Sequence, residues 1–165
     1  MLVSASVGNS HGRIGETPDE CVERYGAVVE TFEARIPGGD PGGQMHRKSG
    51  INIMIEFRDG KAWLIRFENT QLNHSQQDVL LKANAGGSRW KGPVTYLGRR
   101  QWILESGEMH ALARPAQGRV ILEVMTDACL QARDRLRKER LALVGTDEGR
   151  ILRDKLLQTS GLEGF

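Results

Sequence analysis

The sequence predicts an α+β domain built from two tandem repeats, each a helix packed on a roughly four-stranded antiparallel sheet, with a C-terminal helical extension. Three observations predict it. Two capped helix starts stand about 58 residues apart, at Thr17 and Ser75. Each is followed by short alternating apolar and polar runs separated by tight-turn dipeptides. The last forty or so residues carry leucines at helical spacing among charges. At 165 residues the chain is the size of one ordinary domain and long enough to bury a core without staples. The expected divisions are a flexible leader over 1–12, the first repeat over 13–70, the second over 71–126 and the extension over 127–165.

Thr17-Pro18-Asp19-Glu20 combines an N-cap threonine, proline at the first helical position, an early acid and a glutamate that closes a capping box. Cys21, Val22 and Tyr25 give this helix one apolar face, and Gly26 ends it. Strands are expected over 27–36 and 44–48, joined by a Pro/Gly-rich loop over 37–43 that reads as a flexible hairpin tip. That loop lacks the Gly-Lys-Ser/Thr step into a helix which phosphate cradling requires. Asp59-Gly60 is a strong two-residue hairpin signal between 51–58 and 61–68. Ser75 and Asp78 open the second helix, Val79, Leu80 and Ala83 share a face, and 84–87 stop it. Strands are then expected over 93–97, 101–105, 108–114 and 119–125. In the extension, Thr126 or Asp127 caps a helix to Val144, and Thr146-Asp147-Glu148 caps another.

A regular ladder through Asp59-Gly60 sets Phe57 opposite Ala62, Ile55 opposite Leu64 and Glu56 opposite Trp63. One face then holds Ile51, Ile53, Ile55, Phe57, Ala62 and Leu64, suited to lie under the short helix. The other carries Met54, Trp63, Ile65 and Phe67, so this hairpin is apolar on both sides. Either the extension or the second repeat covers that second face, or a partner does. Around Ser106-Gly107, the residues Trp102, Leu104, Met109, Ala111 and Ala113 share one face. Gln101, Ile103, Glu105, Glu108, His110, Leu112 and Arg114 share the other, a mixed surface of the kind that is either solvated or used for protein recognition. The candidate protein-contact residues are therefore Met54, Trp63, Ile65, Phe67, Ile103, His110 and Leu112.

Chemistry has little foothold. The four histidines, at 11, 46, 74 and 110, stand singly, without a second ligand at helical spacing, so no metal site is expected. No nucleophile elbow occurs, no Cys-His arrangement lies near either cysteine, and nothing calls for a cofactor. An enzyme with a pocket between sheet and extension, using Glu56, His46 or His110 as acid or base, is the competing reading. Cys21 and Cys129 are two buried thiols or, in an exported protein, one long-range disulfide. The 23 basic and 21 acidic residues leave a net charge of +2, too balanced for a nucleic-acid signature. Weak nucleic-acid binding would rest on Arg133, Arg137 and Arg140, in a run that otherwise reads as a solvated helix face. No apolar run reaches the roughly 18 residues of a membrane-spanning helix.

Arg13-Ile14-Gly15-Glu16-Thr17-Pro18 through Arg24-Tyr25-Gly26, the hairpin from Gly50-Ile51-Asn52-Ile53 to Asp59-Gly60-Lys61, and Leu81-Lys82-Ala83-Asn84 through Trp90 resemble small bacterial proteins, often exported. Their helix-then-sheet repeats are similar to those of the β-lactamase inhibitor protein and the small outer-membrane assembly lipoproteins. The likeness spans about residues 13 to 125 and is one of pattern, so it transfers no binding residue. It implies a role by surface contact with an unknown protein partner, and export to the periplasm or beyond. The lipid-attachment cysteine of the lipoproteins has no counterpart here, and residues 2–10 lack the basic start of a complete signal peptide. The extension also departs from the compact inhibitor. Its apolar residues after Leu141 are expected to dock on this chain's sheet or on a second copy, giving a homodimer through the C-terminal helices.

Overall fold

The computed structural model describes residues 13–144 together with Thr146 and Ile151. The leader over 1–12 and the second helix expected after Thr146 lie outside these residues, apart from Thr146 and Ile151 themselves. Thr17 caps helix α1 (Pro18–Tyr25): its hydroxyl accepts the Glu20 N–H, while the Glu20 carboxylate accepts the Thr17 N–H at 2.7 Å. Just before it, Gly15 and Glu16 exchange backbone hydrogen bonds with Ala62, which ties this stretch to the sheet.

Eight antiparallel strands follow, broken by one helix: β1 (Glu30–Phe32), β2 (Gly43–Lys48), β3 (Ile51–Arg58), β4 (Lys61–Asn69), α2 (His74–Asn84), β5 (Trp90–Tyr96), β6 (Arg99–Leu104), β7 (Met109–Ala116) and β8 (Arg119–Thr126). Helix α3 (Asp127–Leu143) follows β8. All eight strands form one sheet in the order β1-β2-β3-β4-β8-β7-β6-β5. The β3–β4 connection uses Asp59 (φ 53°) and Gly60 (φ 69°), both left-handed, the pairing whose twist matches that of the flanking strands.

Several expectations are corrected in detail. The first strand is only three residues long, at the sheet edge, because the chain leaves the ladder at Glu33 to wrap toward β3. Helix α2 begins two residues early: Asn73 accepts the Gln76 N–H at 3.0 Å and Gln76 returns the bond, a capping box that supersedes Ser75 with Asp78. The 37–43 loop is anchored. Its Asp40 carboxylate accepts the Asp59 and Gly60 N–H groups at 3.0 and 2.8 Å, and its own N–H donates to Phe57.

The most consequential difference lies in β4. The register pairs Phe57 with Ala62 but Glu56 with Leu64, leaving Trp63 as an extra residue in a β-bulge. One extra residue reverses every side-chain direction beyond it. Ile65, paired with Ile55, and Phe67, paired with Ile53, therefore join the core face, whereas Leu64 leaves it. That core lies under α1 and α2 and also contains Cys21, Tyr25, Leu72, Leu81, Trp102, Leu122 and Val124. The opposite face holds a smaller cluster in which α3 places Cys129 and Ala132 against Trp63, Leu64, Met125 and Ile36. Among the described residues, no helix is long and apolar enough to cross a membrane.

Candidate binding cleft beside helix α3

Helix α3 follows β8 directly, capped by Thr126, whose hydroxyl accepts the Cys129 N–H at 3.1 Å. It covers only part of its sheet face. Beyond Ala132 a cleft of about 560 Å³ lies beside it, with Arg133, Leu136 and Arg140 on one wall. The sheet supplies Met54, Glu56, Leu64, Arg66, Arg114 and Glu123, and the edge near β1 supplies Phe32, Arg35 and Ile36. Five arginines thus meet two glutamates around an apolar lining.

Some of this charge is internally matched. Arg133 donates to Glu123 at 3.0 Å, and Arg66 donates to Glu68 at 3.1 Å through one terminal nitrogen. The buried Nε–H of Arg66 has no acceptor among the described residues. The Arg35 guanidinium lies 5.6 Å from the Phe32 ring centre, within cation–π range. Arg114 and Arg140 have no carboxylate partner among the described residues.

Glu56 is buried at 4% exposure, and one carboxylate oxygen accepts the N–H groups of Arg35 and Ile36 at 3.2 and 3.3 Å. These bonds hold the β1–β2 connection against the sheet. Burial pushes the Glu56 carboxyl above the ordinary glutamate range, outweighing the two backbone bonds and the nearby Arg35, which pull it down. The folded state therefore holds the Glu56 proton more tightly than the unfolded state. Stability from this group is fully present below the unfolded glutamate value, near pH 4.3, and is lost as pH rises through the raised one. Glu56→Gln keeps an acceptor for both N–H groups and removes that loss. Its urea midpoint relative to the natural chain should rise between pH 4 and pH 7; a pH-independent difference would contradict this account of Glu56.

The candidate contact residues divide between interior and surface. Trp63, Ile65 and Phe67 are buried at 3%, 0% and 1% exposure, so the expected contact face at these three positions is interior. The bulge turns Ile65 and Phe67 under α1 and α2, and α3 covers Trp63. Met54 is half-buried and lines the cleft. Ile103, His110 and Leu112 lie on this same α3 side as the register around Ser106-Gly107 requires, with Ile103 exposed and the other two half-buried. His110 Nε2 stands 3.1 Å from the Asp127 carboxylate.

The three acid–base candidates do not converge. His46 is fully buried on the helix-covered face, with Nδ1 2.8 Å from the Gly26 carbonyl and Nε2 3.2 Å from Gln44. Glu56 lines a cleft that neither His46 nor His110 lines. Among the described residues, no group of three or more His, Cys, Asp or Glu side chains is placed to hold a metal ion. Other hollows lie along α2. One of about 790 Å³ lies at the C-terminal end of α2, and one of about 590 Å³ lies at its start, where Arg100 already donates to Gln77.

Sequence reasoning overlooked the cleft's arginines, apart from Arg133 and Arg140 in the α3 run. The available signal was charge at inward parity: Arg66, Arg114 and Glu123 each alternate with core residues along their strands, facing away from one core toward α3.

Cys21 and Cys129 are free thiols, both fully buried, in clusters on opposite sides of the sheet. Burial pushes each thiol up to about 12. Neither should react with iodoacetamide at pH 8 while the chain is folded, and both should react within minutes in denaturant, a difference read by intact mass. Labelling of the folded chain would show that one cluster opens.

No family model matches the chain. No curated protein matches it either. Among solved structures, a cysteine-rich secretory protein from Staphylococcus aureus subsp. aureus Mu50 is similar at 9% identity and a TM-score of 0.42, over 71% of this chain. The aligned part spans 46% of that protein, less than half its length.

Proposed function

We propose that this chain is a non-enzymatic protein-binding module whose contact surface is the α3 side of the sheet. The observation that carries the reading is the cleft beside α3, where, among the described residues, arginines without a carboxylate partner and apolar side chains line a concavity without a converging acid–base pair. The element order supports the duplicated pattern read from the sequence, since each four-strand meander follows a capped helix and the two meet at β4 and β8. The sequence resemblance to inhibitor and assembly folds that act by contact motivates the same reading.

The test reverses charge at two places. Arg114→Glu with Arg140→Glu alters the cleft, and Arg89→Glu with Arg99→Glu makes the same net-charge change at exposed positions outside it. Proteins recovered with the full chain from its native extract, quantified by mass spectrometry, should include a partner depleted about tenfold or more by the cleft pair alone, a change of roughly 1.4 kcal/mol. Equal recovery by both variants would remove the α3 side as contact surface. A second copy bound through the C-terminal helices is the alternative, supported by exposed Leu141, Val144 and Ile151. It predicts a dimer mass in sedimentation that Leu141→Glu with Val144→Glu halves.

A further inference from the structure

We infer that the cleft beside α3 receives an acidic segment of the partner protein, one that carries at least two carboxylates with large apolar side chains between them. The inference rests on the binding-module reading and adds the chemistry of what is bound.

Charge sets the first requirement. The cleft is lined by five arginines and two glutamates, and Arg114 and Arg140 lack carboxylate partners among the described residues. Guanidinium groups pair with carboxylates through two parallel N–H bonds, and a partly water-excluded concavity strengthens such pairs over their value on open surface. Entering carboxylates would supply acceptors that these groups lack among the described residues.

The extent of the charge sets the second. On α3, Arg133 is already held by Glu123 at 3.0 Å, so Arg140 is the cleft arginine of this helix without a carboxylate partner among the described residues. Arg114 comes from β7, on the sheet side of the groove. Positive charge without a carboxylate partner among the described residues therefore comes from both the helix and the sheet side of the groove, and two acidic residues of one extended chain can meet it from between.

The lining sets the third. Phe32, Met54 and Leu136 stand among the arginines, and a polyphosphate or nucleic-acid backbone would leave that apolar surface unfilled. Acidic side chains alternating with leucine, phenylalanine or methionine satisfy both kinds of lining at once. A volume of about 560 Å³ holds a short segment of this kind rather than a folded surface.

Selection from a displayed library of random octapeptides tests the inference on the full chain, with the cleft pair and the outside pair of arginine reversals as comparators. Selected peptides should carry two or more Asp or Glu flanking a large apolar residue. Their recovery should fall about tenfold on the Arg114→Glu, Arg140→Glu chain and stay level on the Arg89→Glu, Arg99→Glu chain. Arg140 is exposed, so Arg140→Glu alone gives the same readout should the double variant unfold. Acid-free peptides that are nonetheless lost on the cleft variant would overturn the acidic segment and leave the binding surface standing. Peptides retained equally by both variants would overturn the inference and the surface together. Displacement of the selected peptides by equimolar octanoate would assign the cleft to a small amphiphilic acid and overturn the peptide.

Discussion

Replacing Phe67 with alanine is expected to remove about 3–5 kcal/mol of unfolding free energy, the usual cost of emptying a fully buried phenylalanine site. Phe67 is 1% exposed, paired with Ile53 on β3 and Leu122 on β8, with α1 and α2 above this face. Three strands and two helices surround the site, so collapse around the hole is restricted and the cavity penalty persists. Against a typical domain stability of about 5–15 kcal/mol, this is roughly a fifth of the total or more. Urea unfolding followed by far-UV circular dichroism should show a large fall in midpoint at unchanged slope. A loss below about 1 kcal/mol would place Phe67 on a surface and contradict the register across the Trp63 bulge.

A loss of similar size, about 3–5 kcal/mol, is expected for Trp63→Ala on the opposite side of the sheet. Trp63 is the widest side chain in the cluster that seats α3, together with Leu64, Met125, Cys129 and Ala132. Its indole N–H is buried without an acceptor among the described residues. Trp63→Phe keeps an aromatic ring in the site and deletes that unsatisfied donor, whose burial itself costs about 1–3 kcal/mol. The phenylalanine variant should therefore lose well under half as much as the alanine variant. Parallel urea titrations decide this: equal losses would mean that the indole N–H has a partner in solution.

Local chemistry was legible where it acts over two to four residues. The Thr17–Glu20 capping box, the Asp59-Gly60 turn and the two faces around Ser106-Gly107 stand where their spacing places them. The bulge at Trp63 was not legible, because the run of four apolar positions from Ala62 to Ile65 fits either parity until both faces are packed. That single irregularity moved Ile65 and Phe67 from a supposed contact face into the core. The α2 cap was misplaced because Asn73 and Ser75 both suit an N-cap, and tertiary packing of Gln77 and Leu81 chooses between the registers. The cleft was hidden for a different reason. Arg35, Arg66, Arg114 and Arg140 come from four segments widely spaced along the chain, and only the sheet order brings them to one groove. The run from Arg133 to Arg140, read as a solvated face, keeps its other six residues exposed and turns Arg133 and Leu136 inward.

The meeting of β4 with β8 at the middle of the sheet has a kinetic corollary. Leu64 pairs with Met125 and Asn69 with Val120, so the central seam joins positions about 50–60 residues apart, whereas the other ladders are closed by local connections. Each meander can begin to form on its own hairpins, but closing the seam must first overcome the entropy of a long intervening loop. Refolding rates should accordingly respond most to substitutions along β4 and β8 that strengthen or weaken that late docking. Until it closes, both strands offer unpaired edges, which makes self-association during folding depend on how fast this one ladder zips.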